Sequence, residues 1–182
     1  MDDTLPGIRP RPSLWRRLDA AFRHGFPAGA TALLLLLLAA PLDLPAQAEL
    51  QQAVILAAVF FWSLFRPGSM PPPAVFLIGL LSDLLGLAPP GLNAVTLLIV
   101  QGLALKWRRK LVRQGFLVVW LAFLAVAAGA AALGWVVTSL LSWHAMPLSA
   151  AGFQFLLSAC LYPALALPLT RAHRSIAAPE RA

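Results

Sequence analysis

One carboxylic acid, Asp83, lies within the hydrophobic bulk of this chain, in the run Gly79-Leu-Leu-Ser-Asp83-Leu-Leu-Gly86. A charged side chain in lipid costs ~2.5 kcal/mol or more on insertion scales, so it needs a partner or a functional purpose. Pro89-Pro90-Gly91-Leu-Asn93 follows shortly afterwards. Two roles are open for Asp83: a hydrogen bond that holds two helices together, or a site that contacts a partner or a ligand.

Catalysis is not expected, because the residue constellations that it needs are missing. Aspartyl chemistry needs two carboxyl groups that share a proton, and no second acid lies in an apolar segment. A nucleophilic serine needs a base, and the three histidines lie in the N-terminal tail, in one loop and near the C-terminus. The sequence also lacks the residue clusters that bind metals and the glycine-rich loop that binds phosphate. We therefore expect neither an enzyme nor a cofactor.

The composition predicts an integral membrane protein. The 182 residues are 60% hydrophobic and 12% charged, and the mean hydropathy is +0.79. A soluble domain must instead cover its surface with charged side chains. The net charge of +7 is also typical of nucleic-acid-binding proteins, but the positions of the basic residues argue against that function.

Charged residues and prolines divide the apolar sequence into six segments, so we expect an all-α protein with six transmembrane helices. Pro89-Pro90-Gly91 predicts a tight hairpin, since proline cannot donate a helical hydrogen bond and glycine permits a reversal. The third and fourth segments are short against the ~20 residues that a span needs, and the fifth is long. The expected spans are 26–42, 50–65, 73–87, 92–105, 115–143 and 150–170.

The basic residues predict the orientation. With six spans, all 14 Lys and Arg fall on one side of the membrane, and the positive-inside rule then places both termini in the cytoplasm. Residues 1–24 are expected to form a basic tail, in which Ser13 caps an amphipathic helix at the membrane surface. Residues 25–171 form the membrane domain and residues 172–182 a second tail. The basic cluster at 106–113 is expected to contact anionic lipids, not nucleic acid.

One alternative concerns the first span. Ala46-Gln47-Ala48 matches the pattern of a signal-peptide cleavage site. The preceding apolar run is long enough to cross the membrane, however, so we expect the segment to be retained as a span.

The hairpin predicts contacts for Asp83. Asn93 and Thr96 reach about the same depth on the fourth helix, so a hydrogen bond across the hairpin is expected. Gly79 and Gly86 surround Asp83 at helical spacing and leave room for the backbone of a neighbouring helix.

Three other features carry expectations about packing. Arg66 lies at the other membrane face and is a poor partner for Asp83. Gly134 belongs to a row of small residues on the fifth helix, which predicts close packing within the fold or against a partner helix. Tryptophans at three span ends are expected in the headgroup region: Trp62, Trp107 and Trp143.

The motif residues resemble the signature of the MreD family of bacterial rod-shape-determining membrane proteins. The resemblance covers about residues 26–170 and is carried by Trp62, Arg66-Pro67, Gly79, Asp83, Pro90-Gly91 and Ala94. It implies a non-catalytic inner-membrane subunit of the machinery that elongates rod-shaped bacteria. Such a subunit binds the bitopic protein MreC and, through it, the actin-like MreB, the polymerase RodA and the transpeptidase partner of RodA.

The resemblance also implies a fold similar to the substrate-binding subunits of energy-coupling-factor vitamin transporters, which have six helices and a similar size. A small-molecule-binding subunit of a transporter is therefore the alternative function, and an inert assembly factor is a third. A vitamin binder needs an outward pocket lined by polar and aromatic groups, whereas a scaffold needs a collapsed core and an exposed apolar helix face. The polar or aromatic residues expected in the outer half are too few for a chosen ligand: Asp83, Asn93, Thr96, Thr138 and Trp143.

Overall fold

A computed structural model of the chain describes the backbone of residues 14–40, 46–86, 89–144 and 147–177, and the side chains within these ranges from residue 25 to residue 171. All regular structure in these ranges is helical. The expected tail of residues 1–12 and its cap Ser13 lie outside the described residues. The helices are α1 (Leu14–Ala39), α2 (Gln47–Phe65), a short 3-10 helix (Pro67–Ser69), α3 (Pro72–Leu85), α4 (Leu92–Leu111), α5 (Phe116–Ser142) and α6 (Leu148–Ala177).

Helix α2 lies at the centre of the fold. Every residue from 53 to 64 is buried, chiefly by α1, α4 and α6. Aromatic rings join it to the last two helices. The ring of Tyr162 on α6 stacks on Phe123 of α5 at a centroid distance of 4.2 Å and meets Phe60 of α2 edge-on at 6.0 Å.

Side-chain hydrogen bonds fix the relative directions of three helices. Near the start of α2, Gln52 donates to the side chain of Asn93 at the start of α4 (3.2 Å). At the other end, Nε of Arg108 on α4 donates to the carbonyl of Leu64 near the end of α2 (2.9 Å). Early in α6, Gln154 donates to a carbonyl in the first turn of α2. The contact of Tyr162 on α6 with Phe60 of α2 gives a second point for α6. Helices α2, α4 and α6 therefore run in the same direction, and their basic C-terminal ends lie on the same side of the fold.

Large apolar side chains cover much of the surface. Leu77 of α3, Leu117 and Leu140 of α5 and Leu167 of α6 are all more than half exposed, which is rare in a protein surrounded by water. Three helices within the described residues are long and apolar enough to cross a membrane: Gln47–Phe65, Phe116–Ser142 and Leu148–Arg171. The chain is thus all-α with the features of a membrane protein.

Helix α3 is too short to cross a membrane by itself. Its 14 residues extend over about 21 Å, whereas the hydrocarbon core is about 30 Å thick. It packs along its length on α4, so the two helices and their turn form one unit.

Three helices extend well beyond the expected spans, and one of them is α6, which ends at Ala177 and not at residue 170. Helix α4 continues through the basic residues to Leu111 instead of ending near residue 105, and α1 runs without a break from Leu14 to Ala39. Lys and Arg are good helix formers, so charged residues mark where a helix leaves the hydrocarbon and not where it ends. The separate surface position of residues 14–24 stays a prediction.

The expectation for one tryptophan is wrong. Trp62 is 1% exposed and its ring meets that of Phe61 edge-on inside the core, because all faces of α2 are covered by other helices. Trp107 and Trp143 are exposed, which leaves both of them free for the headgroup region.

Candidate functional site

The carboxylate of Asp83 caps the first turn of α4. Its Oδ2 accepts hydrogen bonds from the backbone N–H groups of Gly91 (2.9 Å) and Ala94 (3.3 Å), and its Oδ1 accepts one from that of Asn93 (3.0 Å). The first N–H groups of a helix have no carbonyl partner within the helix. Because an ionised carboxylate only accepts hydrogen bonds, it matches this set of three donors. The side chain is 6% exposed.

A turn that requires glycine presents these donors. The N–H of Leu92 donates to the carbonyl of Pro89 (3.1 Å), and Gly91 has φ 90° and ψ −13°. These angles are those of the third residue of a type II turn, and Pro90 occupies the second position, which favours proline. Gly91 is also the N-cap residue of α4. Since it has no side chain to cap the helix, the acceptor comes from Asp83 on α3. The expected reversal at this position is confirmed.

Gly79 allows α3 and α4 to approach closely enough for this cap. A Cβ atom on Gly79 would lie 2.4 Å from Cα and 2.8 Å from N of Ala94, and the N–H of Ala94 is one of the donors to Asp83. The room that Gly79 was expected to leave for a neighbouring backbone is thus occupied by α4. The second expected glycine, Gly86, is the C-cap of α3, and its N–H donates to the carbonyl of Ser82 (3.0 Å).

A chain of polar side chains joins three helices beside the cap. Nδ2 of Asn93 donates to Oγ of Ser82 (3.3 Å), and Nε2 of Gln52 donates to Oδ1 of Asn93 (3.2 Å). Gln52 is a member that the sequence analysis missed. Its signal was its position near the start of an apolar helix, beside a second glutamine, Gln51.

The hydrogen bond across the hairpin is confirmed, and one of the two expected partners of Asp83, Asn93, takes part in it, whereas Thr96 does not. The carboxylate accepts from the backbone of Asn93 and not from its side chain. The hydroxyl of Thr96 donates to the carbonyl of Leu92 in its own helix (2.7 Å). The reason is that unpaired backbone donors cluster at a helix N-terminus, and residue types do not reveal them.

Arg66 lies away from this cap, at the C-terminal end of α2. It is the C-cap residue there, and its N–H donates to the carbonyl of Trp62 (2.7 Å). This position agrees with the expectation that Arg66 is a poor partner for Asp83.

A cavity of about 300 Å³ lies between α5 and the first turns of α2, α4 and α6. Its polar or amphipathic lining consists of Glu49, Gln52, Trp135, Thr138 and Gln154. Nε2 of Gln154 donates to the carbonyl of Glu49 (3.3 Å), whereas its Oε1 is buried without a partner among the described residues. Thr138 was expected in the outer half, and Glu49 lies just before the expected second span. Gln52, Trp135 and Gln154 lie inside expected spans but were not predicted as lining residues, because the sequence does not show which helix faces meet.

Gly134 also lines this cavity. A Cβ atom on Gly134 would have no heavy atom within 4 Å, so the expectation that it packs closely within the fold is wrong. Two residues of the same row, Val126 and Ala130, are buried. Contact of Gly134 with a partner helix stays a prediction.

Comparison of the chain with protein-family models, curated proteins and solved structures finds no match. The resemblance to MreD and to the transporter subunits therefore depends on the sequence motifs alone. Within the described part of the chain, no group of three or more His, Cys, Asp or Glu could hold a metal ion.

Proposed function

We propose that this chain is a non-catalytic scaffold subunit of the rod-shape elongation machinery, similar to MreD, in the bacterial inner membrane. The observation that carries this proposal is the mutual dependence of the motif residues. Gly79 admits the backbone of Ala94, the turn at Gly91 presents N–H groups, and Asp83 accepts them. Motif residues that depend on one another in space support a resemblance better than the same residues matched one by one.

The proposed topology has six spans and both termini in the cytoplasm. It is supported by the common position of the basic ends of α2, α4 and α6, since the positive-inside rule places such residues in the cytoplasm. The cap of Asp83 also suits a position within the membrane. Unpaired backbone N–H groups are especially costly there, and the carboxylate gives three of them an acceptor.

The exposed apolar faces of the helices suit a protein that binds other membrane proteins. The proposed direct partner is an MreC-like bitopic protein. Through it the chain would reach an MreB-like filament, a RodA-type polymerase and its transpeptidase. Helices associate in lipid through close packing and hydrogen bonds and not through hydrophobicity, so the contact would use a helix face with small residues.

Affinity purification from native membranes in a mild detergent tests this function. We expect the tagged chain to recover an MreC-like bitopic protein, and an unrelated tagged multi-pass protein to recover none. Recovery of ATP-binding-cassette subunits without an MreC-like protein would contradict the scaffold and support transport.

A second candidate function is binding of a small molecule, and the cavity beside Gly134 is the observation that favours it. Its volume of about 300 Å³ lies at the lower limit of ligand pockets. In the proposed topology the cavity is on the outer side, where a transporter subunit captures its ligand. The polar lining is richer than the sequence predicts for the outer half of the chain.

Filling the cavity separates the two candidates. Gly134→Leu places a side chain in the cavity, whereas Gly152→Leu adds the same side chain at an exposed position of α6 with no heavy atom within 4 Å of its Cβ. For a scaffold whose partner helix contacts the small-residue row at Gly134, we expect both variants to accumulate, Gly134→Leu to recover less of the MreC-like partner and Gly152→Leu to recover it normally. Loss of small-molecule uptake in Gly134→Leu alone would favour transport.

A further inference from the structure

We propose that the chain has a binding site for one anionic phospholipid at the basic end of the α4–α5 helix pair. This inference does not depend on the proposed function. It combines an apolar groove between the two helices, lined on α4 as far as Trp107, with a concave basic surface that is lined by the residues following Trp107 in the chain.

The groove has a volume of about 160 Å³ and is lined from α4 by residues such as Ile99, Leu103 and Trp107. On α5 the small residues Ala125 and Gly129 face it. Both are exposed, and a Cβ atom on Gly129 would have no heavy atom within 4 Å. Because Ala125 and Gly129 have little or no side chain, a space remains between the two packed helices, and no other described part of the chain fills it.

The length and the small volume of the groove suit one acyl chain. The lining residues on α4 extend from Thr96 to Trp107, which is about 16 Å along a helix. One leaflet of the hydrocarbon core is about 15 Å thick. A volume of about 160 Å³ along this length is far too small for a transmembrane helix, which is 10–12 Å across with its side chains, and suits the much thinner hydrocarbon chain.

The basic residues that follow Trp107 on α4 indicate the chemistry of the lipid headgroup. Immediately after Trp107, the side chains of Arg108, Arg109, Lys110 and Arg113 line one concave surface. Arg108 is fixed in place by its hydrogen bond to a carbonyl of α2. The acids with described side chains, Glu49 and Asp83, lie at the opposite end of the helices. A phosphate is the complementary group for such a surface.

The occupant is therefore a lipid of the leaflet that faces the basic end, with one acyl chain in the groove and its phosphate on the basic surface. Trp107 lies at the junction of the two parts, where an indole ring is favoured by the boundary between hydrocarbon and headgroups. A zwitterionic lipid could fill the groove, but it would lack the net negative charge that the basic surface selects.

Native mass spectrometry of the delipidated full chain in detergent tests the site, with phosphatidylglycerol and phosphatidylcholine of identical acyl chains as probes. We expect one phosphatidylglycerol to be retained and phosphatidylcholine to be lost. Gly129→Leu should abolish this retention, because its side chain fills the groove. Arg109→Gln should weaken it about fivefold, the effect of one basic residue at an anionic surface.

Two matched variants serve as controls. Gly102→Leu adds the same side chain at an exposed position of α4 outside the groove, where a Cβ also has no heavy atom within 4 Å. Arg171→Gln removes one exposed charge near the basic end of α6. Both should retain phosphatidylglycerol as the unaltered chain does.

Three results would overturn the proposal. Equal retention of the two lipids would show that binding does not depend on the headgroup charge. Equal weakening of binding by Arg109→Gln and Arg171→Gln would show a diffuse basic surface without a specific site. Unchanged retention in Gly129→Leu would show that no acyl chain enters the groove. If that variant instead loses a co-purifying membrane protein, the groove binds a partner helix.

Discussion

The side chain of Asp83 supplies what the first turn of another helix lacks. Its carboxyl oxygens lie at the N-terminus of α4, and the last turn of the same helix carries Arg108, Arg109 and Lys110. Anions are favourable at helix N-termini and cations at helix C-termini, each typically by 0.3–1 kcal/mol. The two ends of α4 are thus matched to its dipole, one by its own residues and the other by a residue of α3.

Replacing Asp83 tests the structural role. In Asp83→Asn, one oxygen still accepts hydrogen bonds but the amide group cannot accept one, so at least one N–H loses its acceptor, at about 1 kcal/mol. In Asp83→Leu, the N–H groups of Gly91, Asn93 and Ala94 all lose their acceptor, at about 3 kcal/mol. We expect accumulation in membranes and the unfolding temperature in detergent to fall in the order Asp, Asn, Leu, with rod shape retained in Asp83→Asn.

The alternative role of Asp83 makes a different prediction. A carboxylate that contacts a partner or drives a proton-linked step would be lost in both variants without any change in protein level. Rounded cells that contain the full amount of Asp83→Asn protein would therefore refute a purely structural role.

The sequence predicted that Asp83 bonds across the hairpin but could not predict its partners. Side-chain types revealed Asn93 and Thr96 as candidates, whereas the actual donors are backbone N–H groups that every residue except proline carries. One combination in the sequence could have indicated the cap. Gly91, the N-cap of α4, has no side chain to accept a hydrogen bond, and the carboxyl of Asp83 lies about one turn before the reversal, on α3.

The helix pair α3–α4 depends on the close contact at Gly79. In Gly79→Ala, the added Cβ would lie 2.4 Å from the backbone of Ala94, so the helices must move apart and the hydrogen bonds to Asp83 must lengthen. Overpacking of this kind typically costs 1–3 kcal/mol. We expect a lower unfolding temperature, measured by thermal unfolding in detergent. Gly102→Ala is the control, since its Cβ has no heavy atom within 4 Å.

A double-mutant cycle connects this contact to the cap. If moving the helices apart already breaks the hydrogen bonds of Asp83, the effects of Gly79→Ala and Asp83→Leu should not add. Full additivity would mean that the close approach and the cap stabilise the pair independently.

The order of the helices and the reversal at Pro90-Gly91 were predictable, because prolines, glycines and charges interrupt the apolar sequence. The ends of α1 and α4 were not. Lys and Arg continue a helix readily, and their long side chains reach the headgroup region from within a helix. The prediction of close packing at Gly134 was wrong because small residues on α5 only permit another helix to approach. The positions of the other helices decide whether one does.

For the molecule as a whole, apolar sequence did not distinguish the buried helix from the exposed ones. Helix α5 is apolar throughout, yet only 28% of its most apolar 18-residue stretch is buried in the fold. The corresponding share for α2 is 72%. In water, a buried helix is recognised by its all-round hydrophobicity. In lipid, the surface is as apolar as the core, so this signal is lost and the central position of α2 emerged only from the structure.

The orientation of the whole chain is the last prediction. If the basic ends of α2, α4 and α6 face the cytoplasm, periplasmic reporters should be active when fused after Ala48, Pro90 or Ala145. Cytoplasmic reporters should be active after Ser69, Arg109 or Ala182. The fusion at Pro90 is decisive, because α3 is too short to cross ~30 Å by itself. A cytoplasmic result at Pro90, with the other five as expected, would make α3 and α4 a re-entrant pair and reduce the six proposed spans to four.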